Sequence, residues 1–102
     1  MKYNPSKIEK IRQLAEAEGE ALPFAVYALH NKEANKTYVG QTHDLENRVK
    51  LHNEHVLGGY TSRFSGEWQV IYCEYFETRK EAIRREKQLK SFQGREFIKT
   101  KI

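Results

Sequence analysis

A chain of 102 residues, 38% hydrophobic and 31% charged, is long enough for one domain with a modest core and too short for two. No apolar run approaches the roughly 18 residues that span a bilayer, and the opening MKYNPSKIEK lacks the apolar centre of a signal peptide, so a cytoplasmic protein without membrane contact is expected. The net charge of +4 is unevenly spread: residues 79–102 hold nine Lys/Arg against three Glu, a local excess of +6, leaving −2 on the other 78 residues. Such a segment favours a polyanion, nucleic acid first, with a solvated helix face as the plainer reading.

In chain order, residues 5–18 predict a helix. Asn4 or Ser6 can cap it, Pro5 suits its first turn, and Ile8, Ile11, Leu14 and Ala15 form a stripe. Gly19 and Pro23 close it, so residues 1–22 read as a helical extension packed on a domain of residues 23–102. Next, FAVYALH and TYVG, joined by the polar NKEANK, predict a β-hairpin, with Gly40 ending its second strand where the backbone needs freedom.

Residues 44–56 return to helical spacing. Asp44 is the expected N-cap, Leu45, Val49, His52 and Val56 share a face, and Arg48 lies at the edge of that face. Gly58 and Gly59 stop this helix, and GGYTSRFSGE is a loop. WQVIYCEYFE predicts a third strand, inside which the single cysteine, Cys73, is a small buried hydrophobe rather than a disulfide partner. A last long helix is expected from about Arg79 to Phe92, followed by a glycine break and a short helical tail in QGREFIKTKI. The plan is α+β: a small three-stranded, mainly antiparallel sheet flanked by helices, with the N-terminal helical extension.

Within AIRREKQLK, the Ala82, Ile83 and Leu89 stripe encloses Glu86, so the helix is expected to bury a carboxylate. A buried carboxylate neutralises itself, pairs with a cation or binds a metal. Two inward-tending charges, Arg48 and Glu86, thus flank one sheet, and a structural ion pair between them is the plain reading. Tyr27 and Tyr38 shift the balance, because the hairpin can bring both hydroxyls to one face. Among the histidines, His43 and His55 read as surface residues, and with His30 and His52 they show no compact zinc spacing.

AVY at 25–27, YVG at 38–40, Arg48, and Glu86 in a helix after a third strand together resemble the GIY-YIG nuclease superfamily, most closely its small stand-alone members, over about Phe24–Lys99. The resemblance implies a phosphodiester-cleaving endonuclease using one divalent metal, Mg²⁺ or Mn²⁺. It further implies Glu86 as metal ligand, Arg48 as the phosphate-holding arginine, Tyr27 and Tyr38 as the motif tyrosines, Gly40 as the motif glycine, and His52 as the histidine one turn after the arginine. The chain departs from the pattern in having Ala25 and Val26 for Gly and Ile. It also has Gln41 where some repair-type members carry lysine, and no asparagine after Asn53.

The implied partner is DNA, with branched, flapped and damaged forms, a protein partner and a homodimer all open. Arg84, Arg85, Lys87, Lys90 and Arg95 are candidate phosphate contacts beside the metal site, and Arg63 joins them from the glycine-rich loop. The other reading is a nucleic-acid-binding module that keeps the fold without useful turnover.

Overall fold

The computed structural model of the chain describes residues 23–102, so the expected N-terminal helix lies outside the described residues. Within them, β1 (Phe24–Asn31), β2 (Lys36–Thr42) and β3 (Trp68–Phe76) form one antiparallel sheet in the order β2-β1-β3. Three helices cover it: α1 (Leu45–Asn53), α2 (Arg79–Lys90) and α3 (Phe92–Lys99). The α+β plan with its three-stranded antiparallel sheet is the one the sequence predicts.

The apolar run of β1 is explained by its central position, since a strand covered on both faces has no side to leave polar. Val26 and Ala28 pack with Val39, Tyr72, Ala82, Leu89 and Ile98 on the face covered by α2 and α3. Ala25, Tyr27 and Leu29 pack on the opposite face with Leu45 and Trp68, beneath α1. β3 serves both clusters through a bulge. Opposite Ala28 and Leu29 of β1 stand Tyr72 and Val70, so Ile71 is the extra residue and joins Tyr72 on the α2 face.

The hairpin turn is fixed by a buried side chain. Asn31 Oδ1 accepts from Ala34 N at 3.0 Å, its Nδ2 donates to Ser65 O at 2.9 Å, and Asn35 takes the left-handed conformation at φ 53° that asparagine tolerates. β2 does not stop at Gly40 but runs on to Thr42.

Asp44 caps α1 as expected, accepting from Asn47 N at 3.3 Å. The helix ends three residues before Val56, because His55 turns left-handed at φ 56° and leaves Val56 62% exposed. A similar correction applies at the last helix. The break between α2 and α3 is made by Ser91, whose hydroxyl donates to Gln88 O and accepts from Gly94 N, not by the glycine. Gly94 lies inside α3 at the crossing, where any Cβ would overlap the Gln88 carbonyl and the Leu89 backbone.

Candidate active site

Hairpin register places Tyr27 directly opposite Gly40 and Tyr38 opposite Leu29. Tyr27 and Leu29 share a face, so both tyrosines stand on the α1 side, with ring centroids 6.2 Å apart. The requirement for glycine at 40 is one of space: a Cβ there would come within 2.7 Å of the Tyr27 hydroxyl and 2.9 Å of Tyr38 Cε2. The tyrosine pair therefore closes over the backbone of the second strand.

α1 delivers His52 to this pair. Its Nε2 lies 2.9 Å from the Tyr27 hydroxyl and its Nδ1 lies 2.7 Å from Thr61 Oγ1, and its ring packs on Tyr38 at 4.9 Å. All three hydrogen-bonded residues are buried. Burial first, and then the charge of Arg48, pull the His52 pKa down to about 4, so at neutral pH the ring has one donor and one acceptor nitrogen. With Tyr27 donating to Nε2, Nδ1–H donates to Thr61; in the other tautomer both bonds reverse.

The chain continues outward from Thr61. Trp68 Nε1 donates to Thr61 O at 3.2 Å, and Asn53 clasps the Trp68 backbone, its Nδ2 donating to Trp68 O at 3.1 Å and its Oδ1 accepting from Trp68 N at 2.6 Å. The 3-10 turn Thr61–Arg63 is thus tied to the end of α1 and the start of β3. Thr61 has no signature in the sequence. A single loop threonine carries no period, and only the fold brings it to His52.

Arg48, half-buried one turn before His52, and Glu86 both act on the Tyr27 hydroxyl. Burial is the largest influence and raises the Tyr27 pKa well above its ordinary value, Tyr38 adds to the rise, Arg48 opposes it and Glu86 adds to it. Glu86 itself sits on the stripe the sequence indicates, between buried Ala82 and Leu89, but its side chain is still 21% exposed. Ile83, expected beside it, points outward and is 47% exposed. The Glu86 carboxylate pairs with Lys90 at 3.2 Å, one helical turn on, rather than with Arg48.

The remaining cations divide into two groups. Arg85 is half-buried and tied to its neighbours, its Nε donating to Glu74 Oε2 at 2.6 Å and its Nη1 to Gln88 Oε1 at 3.3 Å. Arg84, Lys87, Lys90 and Arg95 are exposed on α2 and α3, and Arg63 is exposed on the 3-10 turn. Cys73 is half-buried and unpaired, with burial pushing its thiol up to about 11, so it is a packing residue and not a nucleophile.

A tyrosine-bearing hairpin closed over a glycine, followed by an arginine helix and then by a glutamate helix beyond a third strand, defines a GIY-YIG-type fold. The chain belongs to the GIY-YIG catalytic domain family, whose model matches residues 23–98. Among curated relatives it is 40% identical over 65 residues to the UPF0213 protein CPE1444 of Clostridium perfringens, covering 64% of this chain and 68% of that one. It is 37% identical over 70 residues to the UPF0213 protein RBAM_000440 of Bacillus velezensis, covering 66% of this chain and 70% of that one. The solution structure of the UPF0213 protein BH0048 from Bacillus halodurans matches with a TM-score of 0.46 at 28% identity, covering 78% of this chain and 84% of that one. Among the described residues no helix is long and apolar enough to cross a membrane.

Proposed function

We propose that the domain is a metal-dependent endonuclease acting in the cytoplasm, which hydrolyses phosphodiester bonds in nucleic acid, DNA foremost. The observation that carries this reading is the Tyr27 hydroxyl held 2.9 Å from a neutral histidine within the influence of both Arg48 and Glu86. Membership of a catalytic-domain family supports it.

Glu86 would hold the divalent ion. A single carboxylate with waters and phosphate oxygens is an ordinary donor set for Mg²⁺ or Mn²⁺, and Glu86 is reachable from solvent once Lys90 yields its contact. Gln41 offers a further oxygen: its Oε1 is buried without a hydrogen-bond partner, on the face of β2 that α2 covers. No group of three His, Cys, Asp or Glu gathers among the described residues, so a zinc-type cage is not the donor set on offer. When bound, the ion supplies charge neutralisation at the phosphate and a water of lowered pKa.

The chain's own residues do the rest. Arg48 binds the phosphate through its planar fork of donors. That pairing also offsets the positive charge that depresses His52, so substrate binding raises the proton affinity of Nε2. Tyr27 then accepts a proton from the attacking water while its own proton passes to His52 Nε2, and Thr61 keeps Nδ1–H directed away. The water oxygen bonds to phosphorus as the scissile P–O bond breaks, and the ester oxygen leaves with that electron pair and takes a proton from solvent. Tyr38 holds the imidazole plane by packing against it. Lys87, Lys90, Arg84, Arg95 and Arg63 position the strand without reading its sequence.

A second reading rests on a specific observation: Tyr27 is only 1% exposed and Glu86 is neutralised by Lys90, as suits a nucleic-acid-binding module that keeps the fold without turnover. The two readings separate on a panel of single-stranded, duplex, flapped and branched DNA with Mg²⁺, Mn²⁺ or chelator. The nuclease reading predicts metal-dependent cutting that falls roughly a hundredfold or more in folded Glu86→Ala and Arg48→Ala. Salt-sensitive binding untouched by Glu86→Ala, with no cutting on any substrate, establishes the binding module instead.

A further inference from the structure

A groove of about 440 Å³ runs along the outer edge of β2, a size that holds small ligands. Its floor is apolar, built by Val39, Leu89 and Ile98, and one wall is made by Tyr38 and Tyr60. The opposite rim carries Lys90, Arg95 and Lys99. None of these groups except Tyr38, Lys90 and Arg95 has a place in the chemistry derived above.

We propose that this groove seats an unpaired nucleobase of the strand being processed, with the flanking phosphates on its basic rim. The proposal deepens the nucleic-acid reading and rests on it. Four features select this occupant. The rings of Tyr38 and Tyr60 are nearly parallel, 22° between planes with centroids 6.4 Å apart, and Tyr60 is 39% exposed, so a flat aromatic face is on offer. Bases stack on such faces without regard to sequence. The rim is cationic: Lys90 and Lys99 are each shared with a carboxylate, Glu86 and Glu96, whereas Arg95 is exposed on α3 and suits a phosphate.

β2 is an edge strand, and the outward amides and carbonyls of such a strand can pair with the polar edge of a base. Finally, the groove is continuous with the candidate active site, because Tyr38 belongs to both and Tyr60 directly precedes Thr61, the residue that holds His52. An apolar floor alone would equally fit a peptide or a second copy of this chain. The cationic rim and the shared tyrosine wall favour a polyanion that carries flat apolar groups.

A stacked pair inside a duplex cannot enter such a groove, so the domain would act where bases are unpaired: in a single strand, a flap, a bulge or a damaged site. Binding is measured by fluorescence anisotropy of the whole chain at fixed salt, in chelator so that no strand is cut. The probes are a labelled short oligothymidylate, the same backbone with central abasic residues, and the oligothymidylate annealed to its complement. The expected result is affinity about tenfold lower for the abasic strand and for the duplex, a similar loss on oligothymidylate in Tyr60→Ala, and retention in Tyr60→Phe, which keeps the ring. Tyr60→Ala should leave binding of the abasic strand unchanged.

Equal affinity for the normal and abasic strands overturns the proposal. That comparison uses only the wild type, so it decides the matter even where loss of Tyr60 packing on Phe64 and Trp68 unfolds the variant. Cleavage in Mg²⁺ is scored separately. Cutting with no dependence on unpaired bases rejects the groove and keeps the nuclease, while base-dependent binding without cutting supports the groove and rejects the nuclease.

Discussion

The two faces of this sheet are built from the same strand yet do different work. Beneath α2 and α3, Val26, Ala28, Val39, Leu89 and Ile98 form an apolar core, beside which the same face carries the polar side chains of Tyr72 and Gln41. Beneath α1, Tyr27, His52 and Thr61 form a buried hydrogen-bonded series walled by Tyr38 and Trp68. Burying polar groups is tolerated only when each finds a partner, and a partly satisfied network is worse than an apolar one. The α1 face therefore gives up apolar packing for a set of polar atoms held by hydrogen bonds, the arrangement the proposed proton transfer would use. The α2 face supplies rigidity, and its helices carry the cations on their outer surfaces.

If that division holds, damage to the two faces should look different. The largest effect on stability is expected on the apolar face: Leu89→Ala should cost about 2–5 kcal/mol, because the site is 1% exposed and enclosed by both helices. Urea unfolding measures it, and the pH dependence of stability should stay as in the wild type.

The α1 face should reveal itself through protons. His52 titrates at about 4 when folded, against an ordinary 6.5. As pH falls from about 6.5 towards 4, the unfolded chain takes up a proton that the folded chain refuses. Stability should therefore drop through that window, by roughly 2–3 kcal/mol in all, and be unaffected by this group above it. His52→Gln should flatten the profile in paired urea titrations at pH 4.5 and pH 7, and an unchanged slope would show that His52 is not the buried neutral group described.

A smaller loss of about 1–3 kcal/mol is expected for Gly40→Ala, since the added methyl must push back two packed rings. The informative readout is again local. As Tyr27 is displaced and water reaches the ring, the His52 pKa read by NMR should move back up towards its ordinary value, whereas Leu89→Ala should leave it where it is.

Much of this arrangement is legible in the sequence, and what is not has physical reasons. Hairpin, arginine helix, third strand and glutamate helix announce themselves through apolar periodicity and turn residues, and the pairing of Tyr27 with Gly40 follows once the hairpin closes. The stripe around Glu86 is real, but α2 buries only the narrow line through Ala82 and Leu89, so Ile83 falls outside it and the carboxylate reaches the rim. Val56 continues the spacing of α1, yet the left-handed backbone of His55 ends that helix first, which periodicity cannot register. Gly94 reads as a break because glycine usually is one, whereas its role is to let α3 approach the α2 backbone. Thr61 and the Asn53 clasp are tertiary contacts between residues that carry no pattern of their own.

The most direct test of the account is single-turnover cleavage of single-stranded and flapped DNA by Tyr27→Phe beside the wild type, with thermal unfolding run on both. Removing one hydroxyl from the His52 contact should slow cutting at least a hundredfold while the fold and metal-free DNA binding persist. Cutting at the wild-type rate by the folded variant would contradict the assignment of Tyr27 and His52 as the proton-transfer pair.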